Sequence, residues 1–227
     1  GSASKDNYRA ILSKKDLDDL IKELKKAKVL AFDTETDSLD FTQANLVGLS
    51  VATDEDNAYY IPVGHDYEGA PKQLDRDEVL KKLKPIIEKT PLIGQHLKFD
   101  RNVLANYDIH LNSIENDTML MSYVYDPTAT RHNLDAMASH YLNVKTTTFE
   151  DVAGKGVKQL TFNQIPLEKA SDYAAEDADI TFRCYSHLKP ALAKTPSLEK
   201  VLHEIELPLV PVLSDMEQAG TLVNEEA

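Results

Sequence analysis

Apolar residues recur along the chain with two periods, and the change of period predicts which segments are helices and which are strands. Strands are predicted at the short apolar runs over residues 28–33, 46–52, 58–63 and 92–94. Helices are predicted where apolar residues recur three or four positions apart, over residues 13–24, 75–89, 97–107, 118–125, 133–142, 167–192 and 198–219. We expect proline to kink or interrupt the second helix at Pro85 and the last helix at Pro208 and Pro211.

The alternation of a few strands with many helices predicts an α/β architecture, in which helices cover a sheet. Residues 53–57 are polar and turn-forming, so the strands on either side of them should form a hairpin. Together with the first strand, this hairpin predicts an antiparallel meander early in the chain.

Composition narrows the class of protein. The 227 residues are 42% hydrophobic and 28% charged, which suits one large soluble domain or two small ones. The formal net charge of −13 argues against passive binding of nucleic acid over the whole surface, but allows a local cationic track or a metal-bridged phosphate. The single cysteine, Cys184, cannot form an intrachain disulfide, and we expect it to be a reduced, intracellular packing residue. No apolar stretch is long enough to span a membrane.

Asp33 and Glu35 follow the apolar residues of the first predicted strand. Side chains two residues apart on a strand point to the same side, so the two carboxylates should lie close together. Like charges at that distance are costly unless a cation lies between them, and Mg²⁺ and Mn²⁺ prefer oxygen ligands. A solvated turn after a strand explains the same residues, so the pair alone leaves both interpretations open.

Two further groups of polar residues fit either chemistry or simple structure. Asp100 follows the strand at 92–94, in the first turn of a predicted helix, where it could bind metal or only complement the helix dipole. Tyr173 and Asp177 are four residues apart and share a helix face. They could orient a water and bind metal, or be a buried tyrosine beside a solvated acid.

Taken in order, these residues resemble the tyrosine branch of the exonuclease superfamily with four acidic metal ligands. Residues 32–39, 94–100 and 173–179 resemble the three exonuclease motifs of the proofreading domains of bacterial, family A DNA polymerases. The stretches 148–156 and 159–162 are similar too, and the resemblance runs from about residue 7 to the end of the chain. It implies an RNase H-like fold, a mixed β-sheet flanked by α-helices, and a 3′–5′ proofreading exonuclease.

The resemblance also implies the catalytic residues and the cofactors. Asp33, Glu35 and Asp177 would hold one divalent ion, and Asp33 with Asp100 a second. Both would be Mg²⁺ or Mn²⁺, with Zn²⁺ as an alternative at the first site. Tyr173 and Glu35 would orient the attacking water. The product would be a nucleoside 5′-monophosphate released from the 3′ end of single-stranded or frayed DNA.

A set of residues matches the DNA-binding positions of the family. The set comprises Leu39, Gln95, His96, Lys98, Phe99, Arg131 and Phe149. Arg131 would contact phosphate, while Leu39 and Phe149 would wedge or stack on the terminal bases. Without the resemblance, Arg131 could be a surface charge and the other two core residues of loops. His96 stands where the family commonly has Asn, and Phe99 where it has Tyr; both changes bear on strand affinity, not on the metal site.

The resemblance also suggests boundaries, partners and location. Residues 1–6 would be a vector remnant and tail, residues 7–205 the exonuclease domain, and residues 206–227 the start of the helix that leads into a polymerase thumb absent from this chain. The partners would be the DNA strand, its mononucleotide product and that polymerase domain. We expect a monomer in the bacterial cytoplasm, associated with the nucleoid. An RNA-processing exonuclease of the same superfamily and a catalytically silent strand-binding module are the alternatives.

Overall fold

A six-stranded mixed sheet lies at the centre of the molecule, in the spatial order β1-β4-β3-β2-β5-β6. The computed structural model describes residues 5–226, and the side chains of residues 5–221, so most of the predicted remnant at residues 1–6 lies outside the described residues. The strands are β1 (Tyr8–Ala10), β2 (Leu30–Thr36), β3 (Leu46–Ala52), β4 (Ala58–Pro62), β5 (Leu92–Gly94) and β6 (Ile114–Asp117). Strands β2, β3 and β4 form the predicted antiparallel meander, and β1 pairs in parallel with β4. On the other side, β5 pairs in parallel with β2 and with β6.

Helices cover both faces of this sheet. They are α1 (Lys14–Leu24), α2 (Arg76–Lys89), α3 (Leu97–Ala105), α4 (Thr118–Tyr125), α5 (Leu134–Met137), α6 (Phe149–Ala153), α7 (Leu167–Ala193), α8 (Pro196–Val201) and α9 (Leu207–Glu226). Short 3₁₀ turns occur at Gly156–Lys158 and Phe162–Gln164, and π-helical turns at Ala138–Leu142 and Leu202–Glu206. Within the described residues, none of these helices is both long and apolar enough to cross a membrane.

The alternation of side chains along β2 divides the core in two. Leu30 and Phe32 pack with the apolar residues of α1, α2 and α3 on one face of the sheet. Ala31 packs on the other face, with α4 and with α7, whose buried residues include Cys184. The long helix α7 contacts five of the strands, β1 to β5. This arrangement brings the polar residues of β2 and α7 to the same side of the sheet.

Several predicted boundaries were wrong. The strand predicted to end at Asp33 continues to Thr36, because β3 supplies a pairing partner for each residue from 31 to 36, with a shift in register between Glu35 and Thr36. Helix α2 is continuous across Pro85, which lies on its exposed side, where a carbonyl left without a partner can face water. The helix predicted over residues 133–142 is four residues of α5 followed by a π-helical turn.

The C-terminal helical segment also differs from its prediction. A π-helical turn, Leu202–Glu206, precedes Pro208, and α9 then continues through Pro211 without a break. Helix α9 is joined to α3 by polar contacts, with the Arg101 guanidinium donating to Ser214 Oγ at 2.9 Å and to Asp215 Oδ1 at 2.7 Å. The short strands β1 and β6 were not predicted, because three or four residues are too few to show a period.

Candidate active site

Three acidic side chains from two elements meet at one side of the sheet. Asp33 and Glu35 are two residues apart on β2 and therefore point towards the face that α7 covers. Asp177 lies on α7. One carboxylate oxygen from each of the three lies within 4.8 Å of the others, and all three side chains are partly exposed. In the described part of the chain, this is the one group of three or more potential metal-ligating side chains.

Burial and neighbouring negative charges raise the pKa of Asp33 and of Glu35. Burial raises the pKa of Asp33 to about 8, and the negative charge of Asp177 acts in the same direction. Burial raises the pKa of Glu35 well above its usual value, with contributions from the charges of Asp33 and Asp177. Glu35 Oε1 is also buried without a hydrogen-bond partner among the described residues. A divalent cation would stabilise the ionised carboxylates, and an all-oxygen donor set with one unpaired oxygen fits Mg²⁺ or Mn²⁺.

Asp100 comes from a third element, helix α3, and is not one of the group of three acids. It is buried on α3, and its Oδ1 accepts hydrogen bonds from the Thr34 backbone N–H at 2.9 Å and from the Thr34 hydroxyl. Thr34 lies between Asp33 and Glu35 on β2, so its side chain points away from theirs. Burial raises the pKa of Asp100, and the charge of Asp33 raises it further. Asp100 is therefore a direct neighbour of Asp33, since the two side chains interact with each other.

Tyr173 lies one helical turn before Asp177 and is held between two aromatic rings. The ring centroids of Phe149 and Phe162 are each 6.1 Å from that of Tyr173. Burial raises the pKa of the Tyr173 hydroxyl, and the charge of Asp177 raises it further, so the hydroxyl keeps its proton near neutral pH. Sequence reasoning found Tyr173 but missed Phe162, whose 3₁₀ turn gives no periodic signal.

The predicted strand-contact residues Leu39, Arg131 and Phe149 are at least partly accessible. Leu39 is 96% exposed three residues after the end of β2, so the alternative of a core position is wrong for this residue. Arg131 is exposed and has no ion pair within the described residues. Phe149 is half-buried against Tyr173, so one side of its ring is already in contact with the protein.

Gln95 and His96 lie at the turn between β5 and α3. The Gln95 amide donates to the His132 carbonyl at 2.8 Å and accepts from Thr118 Oγ1 at 2.6 Å, so both ends of the side chain have partners in the protein. His96 is exposed and adopts the left-handed conformation, with φ of 62°, as the residue that precedes α3. Its backbone N–H donates to Asp117.

Lys98 and Phe99 lie in the first turn of α3. The Lys98 ammonium forms an ion pair with Glu217 Oε1 at 2.6 Å, which joins α3 to α9. Phe99 is half-buried and packs against the core on the α1–α3 face. A strand that reaches Lys98 therefore has to compete with Glu217.

Asp117 was missed as a residue that shapes the site. Its buried carboxylate accepts hydrogen bonds from four backbone N–H groups, those of His96 and Leu97 at the start of α3 and those of Met119 and Leu120 in α4. One side chain thus caps two helices and fixes the turn that carries His96. The sequence signal was an Asp just before an apolar helix, which indicates a cap for one helix only.

A second residue near the site, Asp135, was also missed. It is exposed at the start of α5 and accepts a hydrogen bond from Thr146 Oγ1 at 2.5 Å. After burial, its charge is the largest cause of the raised pKa of Asp177. Asp135 is therefore a fifth carboxylate close to the acid group, and it ties α5 to the segment that leads to Phe149.

A buried polar network fixes the position of α7 along its axis. Asp179 accepts hydrogen bonds from the Tyr8 hydroxyl at 2.5 Å, from the Asp56 N–H at 3.0 Å and from Arg183 Nε at 3.0 Å. The network joins α7 to β1 and to the turn between β3 and β4. Asp177 is two residues before Asp179 on the same helix, so these contacts also fix the position of Asp177 relative to β2.

Comparison with known proteins agrees with this geometry. Residues 8–193 match the sequence model of a 3′–5′ exonuclease family. The chain is similar to DNA polymerase I of Pseudomonas aeruginosa, at 51% identity over 96% of the chain, and to that of Borreliella burgdorferi, at 39% identity over 96% of the chain. It spans only about a quarter of these relatives, 24% and 23% of their lengths.

Solved structures with low sequence identity show the same fold. The chain resembles the polymerase domain of Pol1 from M. smegmatis in complex with DNA primer-template and dNTP, with a TM-score of 0.67 and 19% identity, covering 92% of this chain and 31% of that one. It also resembles Brucella melitensis NrnC with bound Mg²⁺, with a TM-score of 0.63 and 18% identity over 94% of both chains. These likenesses confirm the predicted RNase H-like fold of a mixed sheet flanked by helices.

Proposed function

Because this chain belongs to the family of 3′–5′ exonuclease domains found in DNA polymerase I, we propose that it removes nucleoside 5′-monophosphates from the 3′ end of single-stranded or frayed DNA. The family makes the chain a hydrolase domain. The observation that supports its activity is the group of Asp33, Glu35 and Asp177, whose oxygens meet within 4.8 Å at a partly exposed position.

Two divalent ions, Mg²⁺ or Mn²⁺, are the proposed cofactors. Asp33, Glu35 and Asp177 would hold the first, where Zn²⁺ is the alternative, and Asp33 with Asp100 would hold the second. When bound, such a pair of ions neutralises charge on the attacking and leaving oxygens and lowers the pKa of water. The unpaired Glu35 Oε1 and the pKa values of Asp33 and Glu35, which burial and neighbouring carboxylates raise, support this assignment.

Glu35 and Tyr173 are the residues proposed to orient the attacking water. Glu35 offers an oxygen without a protein partner, so it can accept a hydrogen bond from water. The Tyr173 hydroxyl has no hydrogen-bond partner among the described residues and, because its pKa is raised, it stays protonated. Tyr173 can therefore position a water as a donor or acceptor, but it is a poor base.

The strand would be held by a few local contacts in an otherwise acidic chain. Leu39 is free to wedge between bases, Phe149 can stack with its outer face, and Arg131 is a cation without a protein partner in the described region. Stacking on an aromatic ring contributes about 1–3 kcal/mol per base and is indifferent to sequence. Gln95, His96, Lys98 and Phe99 would line the path, although Gln95 and Lys98 must exchange internal partners for the strand.

One experiment tests the type of nucleic acid that is cleaved, the end from which cleavage proceeds and the dependence on metal. A 5′-labelled DNA single strand is incubated with the protein in Mg²⁺ and, separately, in EDTA, beside an RNA of the same sequence. We expect a ladder that shortens from the 3′ end of DNA in Mg²⁺ only. Faster shortening of RNA would indicate an RNA-processing exonuclease. Strand binding without any shortening would indicate a silent binding module.

The boundaries and the setting are proposals as well. Residues 7–205 would form the exonuclease domain, and residues 206–227 would lead towards a polymerase domain, since the relatives are about four times as long as this chain. The partner would then be the polymerase part of the same natural chain. We propose a monomer that acts in the bacterial cytoplasm, at the nucleoid.

A further inference from the structure

Tyr173 is fixed beside the acid group by ring contacts rather than by hydrogen bonds. In the described part of the chain its hydroxyl has no partner, while its ring lies between those of Phe149 and Phe162. We infer that Phe162 is a positioning residue, which holds the ring of Tyr173 where its hydroxyl can reach the attacking water. This inference rests on the proposed function and adds to it a residue with no polar group and no contact with the reacting atoms.

Phe162 is the better fixed of the two flanking rings. It is 2% exposed, whereas Phe149 is half-buried at the start of the short helix α6. Phe149 is also proposed to stack on the DNA strand, so its ring would contact both Tyr173 and the substrate. The contact between Phe162 and Tyr173 therefore involves no side chain that is proposed to bind the strand.

Two further aromatic residues, Tyr60 and His65, pack against the ring of Phe162. The ring centroid of Phe162 is 6.1 Å from that of Tyr60, nearly perpendicular to it, and 5.7 Å from that of His65. Tyr60 and His65 are themselves buried and joined by a hydrogen bond of 2.7 Å between Tyr60 Oη and His65 Nε2. Tyr60 has room because the neighbouring strand carries Gly48, where a Cβ would lie 2.3 Å from the Tyr60 ring.

The backbone around Phe162 is fixed without help from Tyr173. Gln164 Oε1 accepts a hydrogen bond from the Thr161 N–H at 3.2 Å and closes the turn. Asn163 Nδ2 donates to Asp66 Oδ1 at 2.8 Å, and the Asp66 N–H donates to the Asn163 carbonyl at 3.2 Å. The turn is thus attached to the loop after β4. Contacts run continuously from β3 and β4, through Tyr60 and Phe162, to Tyr173.

The first test measures steady-state cleavage of a 5′-labelled single strand in Mg²⁺. We expect Phe162→Leu to lower kcat by about tenfold or more and to change KM by less than about twofold, since a group displaced by an ångström costs rate rather than binding. Phe182→Leu is the matched control, because Phe182 lies on α7 against Tyr185 with ring centroids 6.4 Å apart. It should leave kcat unchanged. An equal loss in both variants, or a loss only in KM, would overturn the inference.

A double-mutant cycle separates positioning from general packing. Tyr173→Phe removes the hydroxyl that Phe162 is inferred to position, so adding Phe162→Leu to it should lower kcat little further. Multiplied losses in the double variant would overturn the inference. If Phe162→Leu does not fold by circular dichroism, Phe162→Met, which keeps more of the volume, takes its place in the same cycle. An unmodified chain that never shortens DNA would refute the proposed function instead, which keeps the two failures distinct.

Discussion

Asp177 brings a third negative charge next to Asp33 and Glu35, and the backbone of α7 and β2 holds it there. Burial and like charges at such distances raise the free energy of the folded state, and both contribute to the raised pKa values of Asp33 and Glu35. Side chains placed for function at the expense of stability are common at active sites. Removing one of the three charges or binding a cation reduces this cost.

Asp177→Asn should abolish cleavage and make the metal-free protein more stable. The amide is a weaker ligand and relieves the repulsion around Asp33 and Glu35. The expected results are no shortening of a labelled strand in Mg²⁺ and a higher melting temperature in EDTA. Asp19→Asn, which removes an exposed carboxylate from α1, should alter neither. Cleavage that persists in Asp177→Asn would contradict the assignment of the site.

Cys184 should not react with thiol reagents in the folded protein. Burial raises its pKa to about 12, and the thiolate is the reactive form, so the reactive fraction at pH 8 is negligible. We expect no labelling by Ellman's reagent at pH 8, and stoichiometric labelling after unfolding in guanidinium chloride. Rapid labelling without denaturant would show that α7 opens locally.

For single residues, the sequence indicates those with ionisable groups in unusual positions, but it does not indicate those that act only by packing against another side chain. Asp33, Glu35 and Asp177 drew attention as acids after an apolar strand or on a helix face, but only the resemblance of the three motifs together favoured metal binding over a simple structural role. Phe162 could not be found, because a phenylalanine in a short turn is ordinary until its neighbours are known. The position of Asp100 beside Thr34 depends on how α3 crosses β2, and no local pattern encodes that crossing.

At the level of elements, the N-termini of helices α3 and α4 lie next to each other. The carboxylate of Asp117 accepts hydrogen bonds from backbone N–H groups at the start of each helix. The two helices therefore form one unit with the turn that carries His96. Asp100 lies on α3, so the placement of this acid depends on a residue 17 positions later in the chain. A change in Asp117 should therefore affect both stability and the site.

Asp117→Ala should destabilise the protein by about twice as much as the loss of a single cap. Loss of one N-cap costs about 1 kcal/mol, so two caps give about 2 kcal/mol in the free energy of unfolding. Ser13→Ala is the comparison, because Ser13 caps α1 alone. Chemical denaturation of both variants measures the difference. Equal losses would show that only one of the two caps of Asp117 contributes.

The periodic signal identified the longer elements well and the short ones poorly. Helix α7 was predicted to within a residue because its apolar face repeats over many turns. Strands β1 and β6 have three and four residues, and the backbone pairing that creates them comes from distant strands. Pro85 did not interrupt α2, because the side of the helix that it occupies faces water, which the sequence alone could not establish.

For the molecule as a whole, the charge of −13 means that a nucleic-acid strand meets general repulsion, because 38 acidic residues outnumber 25 basic ones. Arg131 is accessible and without an ion pair in the described residues, which leaves it available for the proposed phosphate contact. The order of strands in the sheet was beyond prediction, since β1 joins next to β4 through pairing across 50 residues. The order decides which loops surround the acids.

Arg131→Ala should weaken strand binding in a way that depends on salt. One lost phosphate contact on a single strand lowers the slope of log affinity against log salt by about 0.7. Binding of a labelled strand is measured in EDTA, which prevents cleavage, over a range of NaCl concentrations. Arg9→Ala, an exposed arginine on β1, is the control and should leave the slope unchanged. An unchanged slope in Arg131→Ala would remove this residue from the strand path.

The hydrogen bonds around Asp179 have a consequence for the amino end of the chain. Tyr8 belongs to a three-residue strand at the rim of the sheet, yet its hydroxyl helps to fix α7, which carries Asp177 and Tyr173. A peptidase that removed the first ten residues would leave Asp33, Glu35 and Asp177 in the chain and still loosen their alignment. Loss of this amino-terminal segment would therefore lower exonuclease activity, although the segment itself is not proposed to contact the substrate.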